Sequence, residues 1–356
     1  MNTRIITLSA LSEPEQQTAL RAAASVIRTG GLVAFPTETV YGLGADGTRE
    51  DAAALIFAAK GRPADNPLIL HVAHPEDAAL YAHLPPLYHA LAAAFMPGPL
   101  TVVLEAKESV PARVRAGLPT VAVRCPAHPV AHALIALAGV AIAAPSANLS
   151  GSPSPTRAAH VIADMQGRVD MILDGGDCEI GLESTIVKLT AADSLQLLRP
   201  GAVTLEQLRQ ICPRLSISPA VLASLKETDK VESPGMKYRH YAPKAPLILL
   251  NGTEKERQKF LSSQKGPFTV LAYDHELDPY VTFLPRAHIF LLGEAHEATT
   301  HARRLFSLLR EADLPGIDAI YAPLPEMSGI GLALYNRLIR AAAHHIITPE
   351  GRESDG

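Results

Sequence analysis

Gly31-Leu-Val-Ala-Phe-Pro-Thr-Glu-Thr-Val-Tyr-Gly-Leu-Gly44 runs from an apolar stretch into a polar turn. Leu32 to Phe35 reads as a buried strand, and Pro36, which has no N–H to give a ladder, ends it. The same punctuation recurs at Lys60-Gly-Arg-Pro63, Pro145-Ser-Ala-Asn148 and Arg199-Pro-Gly201, each a short polar or Gly/Pro-rich turn after an apolar run. Such turns set fixed cations and hydroxyls at strand ends, where a polyanionic ligand is readily held.

Working outward, Glu13 to Thr29 reads as an Ala-rich helix stopped by Gly30-Gly31. Thr48-Arg-Glu-Asp51 has the form of a capping box opening a helix to Lys60, closed by Gly61 and Pro63. Strands are expected at Leu68–Val72, Leu100–Glu105, Val121–Arg124, Val140–Ala144, Met171–Asp174, Ser184–Leu189 and Leu195–Arg199. Helices are expected at 75–82, 86–95 and 129–137, and from a cap at Thr156 to Met165. Helices and strands alternate irregularly, so the fold class is α/β in the broad α+β sense, a mixed open sheet. From Cys212 to Pro246 prolines break the pattern, and 212–246 reads as a linker between a domain at 1–211 and a second at 247–350. The second alternates strands (247–250, 268–273, 288–292, 319–322) with helices (253–263, 295–312, 330–345), a small Rossmann-like α/β domain.

A chain of 356 residues suits two cores better than one. Its 47% hydrophobic and 19% charged residues describe a globular protein, and a net charge of −4 gives no global pull toward nucleic acid. Three widely separated cysteines, Cys125, Cys178 and Cys212, have neither disulfide nor metal-ligand spacing. With no signal peptide and no apolar run long enough for a bilayer, a cytoplasmic protein without membrane association is expected.

Gly42-Leu-Gly-Ala-Asp-Gly47 fits the dinucleotide pattern of glycines, but Pro36 to Thr39 separate it from the strand that should feed it. No Walker A sequence is present. Lys60 and Arg62 are either cations at a helix C-terminus or a phosphate clamp, the lysine a mobile point charge and the arginine a planar fork. Ser146 and Asn148 form either an ordinary turn or ligand hydrogen bonds. A nucleophilic serine lacks its elbow and partners. His71 reads as a core histidine by default, and His128 and His132 as surface residues without a third metal ligand.

Taken together, Lys60-x-Arg62 and Ser146-x-Asn148, with Pro36–Gly44, Pro97–Thr101, Glu183-Ser-Thr185, Arg199-Pro-Gly201 and His240-Tyr-Ala-Pro243, resemble the threonylcarbamoyl-AMP synthase family in its two-domain form. The resemblance extends over essentially the whole chain. It implies a YrdC-like twisted sheet and a reaction of ATP, L-threonine and bicarbonate or CO2. The product, threonylcarbamoyl-AMP, would pass to the tRNA threonylcarbamoyltransferase machinery. It implies Mg2+ carried on ATP, no organic cofactor, and no metal held by protein side chains alone. Lys60, Arg62, Ser146 and Asn148 would be catalytic, and Lys60, Arg62, Asn66, Thr120, Ala144, Ser146, Ser154, Arg199 and Tyr238 would hold ATP. Thr39, His71, Arg124 and Ser184 would hold threonine. Two other readings stand beside it: an RNA-binding module using a basic concave face, with direct tRNA contact, and a carbamoyl-phosphate-dependent transferase.

Overall fold

A computed structural model describes residues 2–223, 240–349 and, for the backbone, 352–353. The contacts divide the chain into two compact units, 1–150 with 154–237, and 151–153 with 238–356.

The first unit is built on an eleven-stranded mixed sheet. Its strands are β1 (Arg4–Thr7), β2 (Val33–Phe35), β3 (Gly42–Asp46), β4 (Ile69–His71), β5 (Leu100–Glu105), β6 (Thr120–Arg124), β7 (Ile142–Ala143), β8 (Met171–Asp174), β9 (Thr185–Ala191), β10 (Ser194–Arg199) and β11 (Leu215–Ile217), in the spatial order β1-β8-β2-β3-β7-β4-β6-β5-β9-β10-β11. The helices Glu13–Arg28 and Pro129–Ala138 cover part of one face. Ala23, Ile27, Val33, Phe35, Leu134 and Leu173 are all fully buried there. Ser12 and Glu15 form the capping box that starts the first helix, with Glu15 Oε2 accepting from the Ser12 amide at 2.8 Å.

Several expectations change in detail. The second glycine-rich stretch is itself strand β3, paired antiparallel to β2 and β7, so it has no helix N-terminus to offer a pyrophosphate. Its glycines answer to packing, since a Cβ on Gly47 would come 2.4 Å from Leu70 Cδ2 and 2.8 Å from the Ala141 carbonyl. The Thr48 box does not form. Arg49 is the N-cap of the helix Glu50–Lys60, and Thr48 Oγ1 turns back to Asp46 Oδ1 at 2.6 Å. Part of the stretch read as linker is folded: β11 pairs in parallel with β10, and Ala220 packs against Ile69, Val103, Ala122 and Ile186 on the sheet. Two apolar residues alternating around Ser216 suffice for a short strand, despite the flanking prolines.

The second unit has β12 (Leu247–Leu250), β13 (Phe268–Tyr273), β14 (Ala287–Gly293), β15 (Ala319–Pro323), β16 (Ile346–Thr348) and β17 (Arg352–Glu353), ordered β14-β13-β15-β12-β16-β17. All neighbours are parallel except β16 and β17. In strand order 3-2-4-1-5 this is a parallel α/β sheet, though not the 3-2-1-4-5-6 winding of a Rossmann domain.

Gly47→Ala should destabilise the first unit by about 1–3 kcal/mol through overpacking. A lowered urea midpoint for its unfolding measures this, and an unchanged midpoint would contradict the close packing described.

Candidate active site

The helix Glu50–Lys60 ends at Gly61, which takes the left-handed conformation at φ 62°. The Arg62 amide then returns to the Phe57 carbonyl at 3.0 Å, a Schellman-type ending. This turn aims Lys60 inward. Only 3% of Lys60 is exposed, and its Nζ donates to the carbonyls of Ser146 and Asn148, both at 2.5 Å, with Asn148 Oδ1 at 3.5 Å. Lys60 is therefore neither a solvated helix-end cation nor a mobile one. Burial, aided by repulsion from Arg62, pulls its pKa well below the ordinary lysine value, against the opposing pull of Asp164 and Glu183. Arg62 closes its own loop, Nε on the Asn66 carbonyl at 3.2 Å and Nη2 on that of Pro67 at 3.0 Å.

The 146–148 turn is tied internally as well, Ser146 Oγ donating to Asn148 Oδ1 at 2.5 Å. Ala144 is positioned by its amide, which donates to the Ile69 carbonyl at 2.9 Å. Asn66, fully buried beside this cluster's loop, has no hydrogen-bond partner for either amide atom among the described residues. A buried amide left without partners is destabilising in isolation and is the kind of group a ligand satisfies.

A second cluster forms around Arg124. The β4–β6 register sets His71 opposite Arg124, and the β5–β6 register sets Thr101 opposite it. Arg124 Nη1 donates to Thr39 Oγ1 at 2.9 Å and Nε to the Gly98 carbonyl at 3.3 Å. Thr101 Oγ1 and Ser184 Oγ are 2.7 Å apart, and Arg199 reaches Ser184 through Nε to its carbonyl at 3.0 Å and Nη2 to its hydroxyl at 3.1 Å. Next to Ser184, Glu183 accepts a short bond from Ser154. Gly201 explains the third turn: a Cβ there would lie 2.5 Å from the Thr185 amide and 2.8 Å from the Glu183 carbonyl, so only glycine lets the turn after Arg199 lie this close to them.

Thus Thr39, His71, Arg124 and Ser184 are gathered, as are Lys60, Arg62, Asn66, Ala144, Ser146 and Asn148, with Ser154 and Arg199 joined through Glu183 and Ser184. Thr120 sits apart. It starts β6, four residues from Arg124 and so about 13 Å along the strand, in the wall of a recess of about 500 Å3 with Glu105 and Lys188. Only an elongated ligand spans both ends. Tyr238 lies outside the described residues. His128 is a helix cap, its Nδ1 accepting from the Val130 amide at 3.2 Å.

Sequence reasoning missed Glu38. Its Oε1 lies 2.6 Å from Arg124 Nη2, and both residues are about 95% buried. The two form a buried ion pair. Burial pushes the Glu38 pKa up and Arg124 pulls it down further, leaving it lowered. Its position in the middle of Pro36–Gly44 was the available signal. Burial also pushes the Cys125 and Cys178 thiols up to about 12, which removes them as nucleophiles.

Burial and the neighbouring Arg124 charge depress His71 from 6.5 to about 3. The unfolded chain therefore takes up a proton that the folded one refuses between those values. Stability attributable to this group is complete above pH 6.5 and falls as pH drops toward 3, with a limiting slope of about 1.4 kcal/mol per pH unit. His71→Gln should flatten that slope in denaturant titrations at pH 7, 6 and 5, and an identical pH dependence would show that His71 is not buried neutral.

Residues 25–201 match the family model described as telomere recombination, which groups Sua5, YciO and YrdC, and residues 203–343 match the threonylcarbamoyl-AMP synthase C-terminal domain. The chain is 46% identical over 337 residues to the threonylcarbamoyl-AMP synthase of Pyrococcus abyssi, spanning 92% of this chain and 95% of that protein. It is 42% identical over 333 residues to the Bacillus subtilis threonylcarbamoyl-AMP synthase, spanning 91% and 93%. The solved structure of P. abyssi Sua5 complexed with L-threonine superposes with a TM-score of 0.87 at 44% identity, over 97% of this chain and 99% of that one. With both domains matched in order and the relatives covered nearly end to end, the chain belongs to the threonylcarbamoyl-AMP synthase family.

Proposed function

We propose that this chain makes threonylcarbamoyl-AMP from ATP, L-threonine and bicarbonate or CO2, releasing pyrophosphate. The observation that carries this reading is the junction of two pre-built clusters: cations fixed by backbone carbonyls around Lys60 and Arg62, and the Arg124–Thr39–His71–Ser184 group beside them on the sheet. A solved relative complexed with L-threonine supports threonine as a substrate, and the buried Arg124 is the group suited to its carboxylate.

The threonine amine first becomes an N-carboxylate. One of its oxygens then attacks the α-phosphorus as the bond to pyrophosphate breaks. Negative charge grows on phosphate oxygens, so the protein's contribution is positioning and electrostatic stabilisation. Lys60 and Arg62 supply that charge, and their prior fixation keeps the reorganisation cost low. Ser146 and Asn148 orient the phosphate-side loop, while Asn66, the Ala144 backbone, Ser154, Arg199 and Thr120 complete the nucleotide contacts. Arg124 receives the threonine α-carboxylate, with Thr39, His71 and Ser184 around the rest of the molecule. His71, kept neutral, is suited to hydrogen bonding a hydroxyl.

Mg2+ enters with ATP and neutralises phosphate charge when bound. Among the described residues no three His, Cys, Asp or Glu side chains converge on one point. Magnesium usually keeps several waters and is bound through substrate phosphates, so ATP oxygens would hold the proposed ion. The product is destined for N6-threonylcarbamoylation of the adenosine beside the tRNA anticodon. A reducing cytoplasm suits the three free, buried cysteines, and among the described residues no helix is long and apolar enough to cross a membrane.

Pyrophosphate release from ATP should require both threonine and bicarbonate, and release indifferent to threonine would sink the proposal. Lys60→Ala or Arg62→Ala should each lose about 2–4 kcal/mol of transition-state stabilisation, read as a roughly 30- to 1,000-fold fall in kcat/KM. Near-normal turnover in both variants rules out the clamp. Asn66→Leu should leave the melting temperature unchanged or raised, because it removes an unsatisfied buried amide, while weakening ATP about 10- to 100-fold.

A further inference from the structure

Glu38 is an expensive residue to bury. It is 6% exposed, with the equally buried Arg124 guanidinium as its ion-pair partner. Taking an ion out of water costs several kcal/mol, and a buried pair is often no more stabilising than apolar side chains of equal volume. Stability is thus a poor reason for its presence.

Charge balance is a better one. Among the described residues, the charged side chains tied to the amino-acid half include Arg124 and Arg199, with Glu38 beside Arg124 and Glu183 next to Ser184. His71 and His128 face Glu38 too, and burial lowers both, favouring their neutral forms. At Arg124 itself, Glu38 therefore offsets the arginine's charge. A lone buried arginine attracts any carboxylate, whether a hydroxy acid or an amino acid. With a carboxylate 2.6 Å from it, the arginine instead forms one end of a dipole without net charge. Inside a protein the field of Glu38 is weakly screened, so it repels a simple anion and attracts an ammonium held one carbon from the carboxylate.

We propose that Glu38 is a specificity-determining residue: its buried negative charge makes the site select an α-amino acid zwitterion over a simple carboxylate. This rests on the assignment of Arg124 and its neighbours to threonine made above. Glu38 acts through its charge, and no contact with substrate is required of it.

The experiment is calorimetric titration of the full chain with L-threonine and with (3R)-3-hydroxybutyrate, which keeps the carboxylate, hydroxyl and methyl and lacks the ammonium. The unaltered protein should prefer threonine by at least about 10-fold. Glu38→Gln should weaken threonine about 10- to 100-fold while leaving 3-hydroxybutyrate unchanged or tighter, so that the preference collapses. Glu38→Asp, which keeps the charge, should keep the preference. A parallel loss of both ligands in Glu38→Gln would show that Glu38 merely holds Arg124 in place, and an undiminished preference would overturn the proposal outright. If Glu38→Gln does not fold, the unaltered protein still decides, because equal binding of the two ligands refutes charge selection. Failure of the unaltered protein to bind threonine at all would instead overturn the synthase reading.

Discussion

One ammonium group ties the nucleotide half of the site together. Lys60 Nζ bridges a helix end to the carbonyls of Ser146 and Asn148, more than eighty residues away in sequence. The helix must end at that point for the lysine to turn inward, and Gly61 at φ 62° ends it. The receiving turn must present two carbonyls on one side, which the Ser146–Asn148 bond enforces. Removing water from this cation is unfavourable, and carbonyl dipoles offset only part of the cost. The site consequently stands ready for an anion before any arrives, which is the electrostatic preorganisation that phosphoryl chemistry exploits.

Arg124 plays the corresponding part in the other half, under a different constraint. It lies on β6, whose register with β4 and β5 brings His71 and Thr101 alongside, so the sheet and not a loop sets its position. Loops then close on it: Thr39 and Glu38 from the turn after β2, and Gly98 from the turn before β5. A rigid strand carrying the charged residue, with turns supplying its partners, gives tighter placement than loops alone. Gly201 contributes by absence of a side chain, letting the turn after Arg199 lie against Glu183 and Thr185.

Much of this was legible in the chain. Strand β5 at Leu100–Glu105 and β8 at Met171–Asp174 have the predicted bounds, because an apolar run between turn residues has few other uses. The helix Pro86–Phe95 matches as well. The misses have physical causes. Strand β3 carries Gly42 and Gly44, poor strand formers by propensity, because Phe35 and Ile142 leave no room for side chains there, and its pairing with β2 and β7 holds it. The Thr48 cap is absent because the helix starts one residue later, at the N-cap Arg49, while Thr48 Oγ1 donates to Asp46 Oδ1. Strand β11 was hidden by prolines on both sides and is held by its parallel neighbour β10.

By itself the sequence determined the order of elements, the residues available for chemistry, and a family whose motifs it carries throughout. These are local properties: period of hydrophobicity, turn residues and short signatures. Tertiary structure alone decided that Lys60 is clamped by the distant carbonyls of Ser146 and Asn148, and that Glu38 is the counter-ion of Arg124. Burial and charge pairing depend on which distant segments meet, and a side chain's electrostatic character is set by those neighbours. A glutamate in a turn is ordinarily a solvated charge. Only the folding of the turn after β2 against β6 makes this one a buried anion beside an arginine.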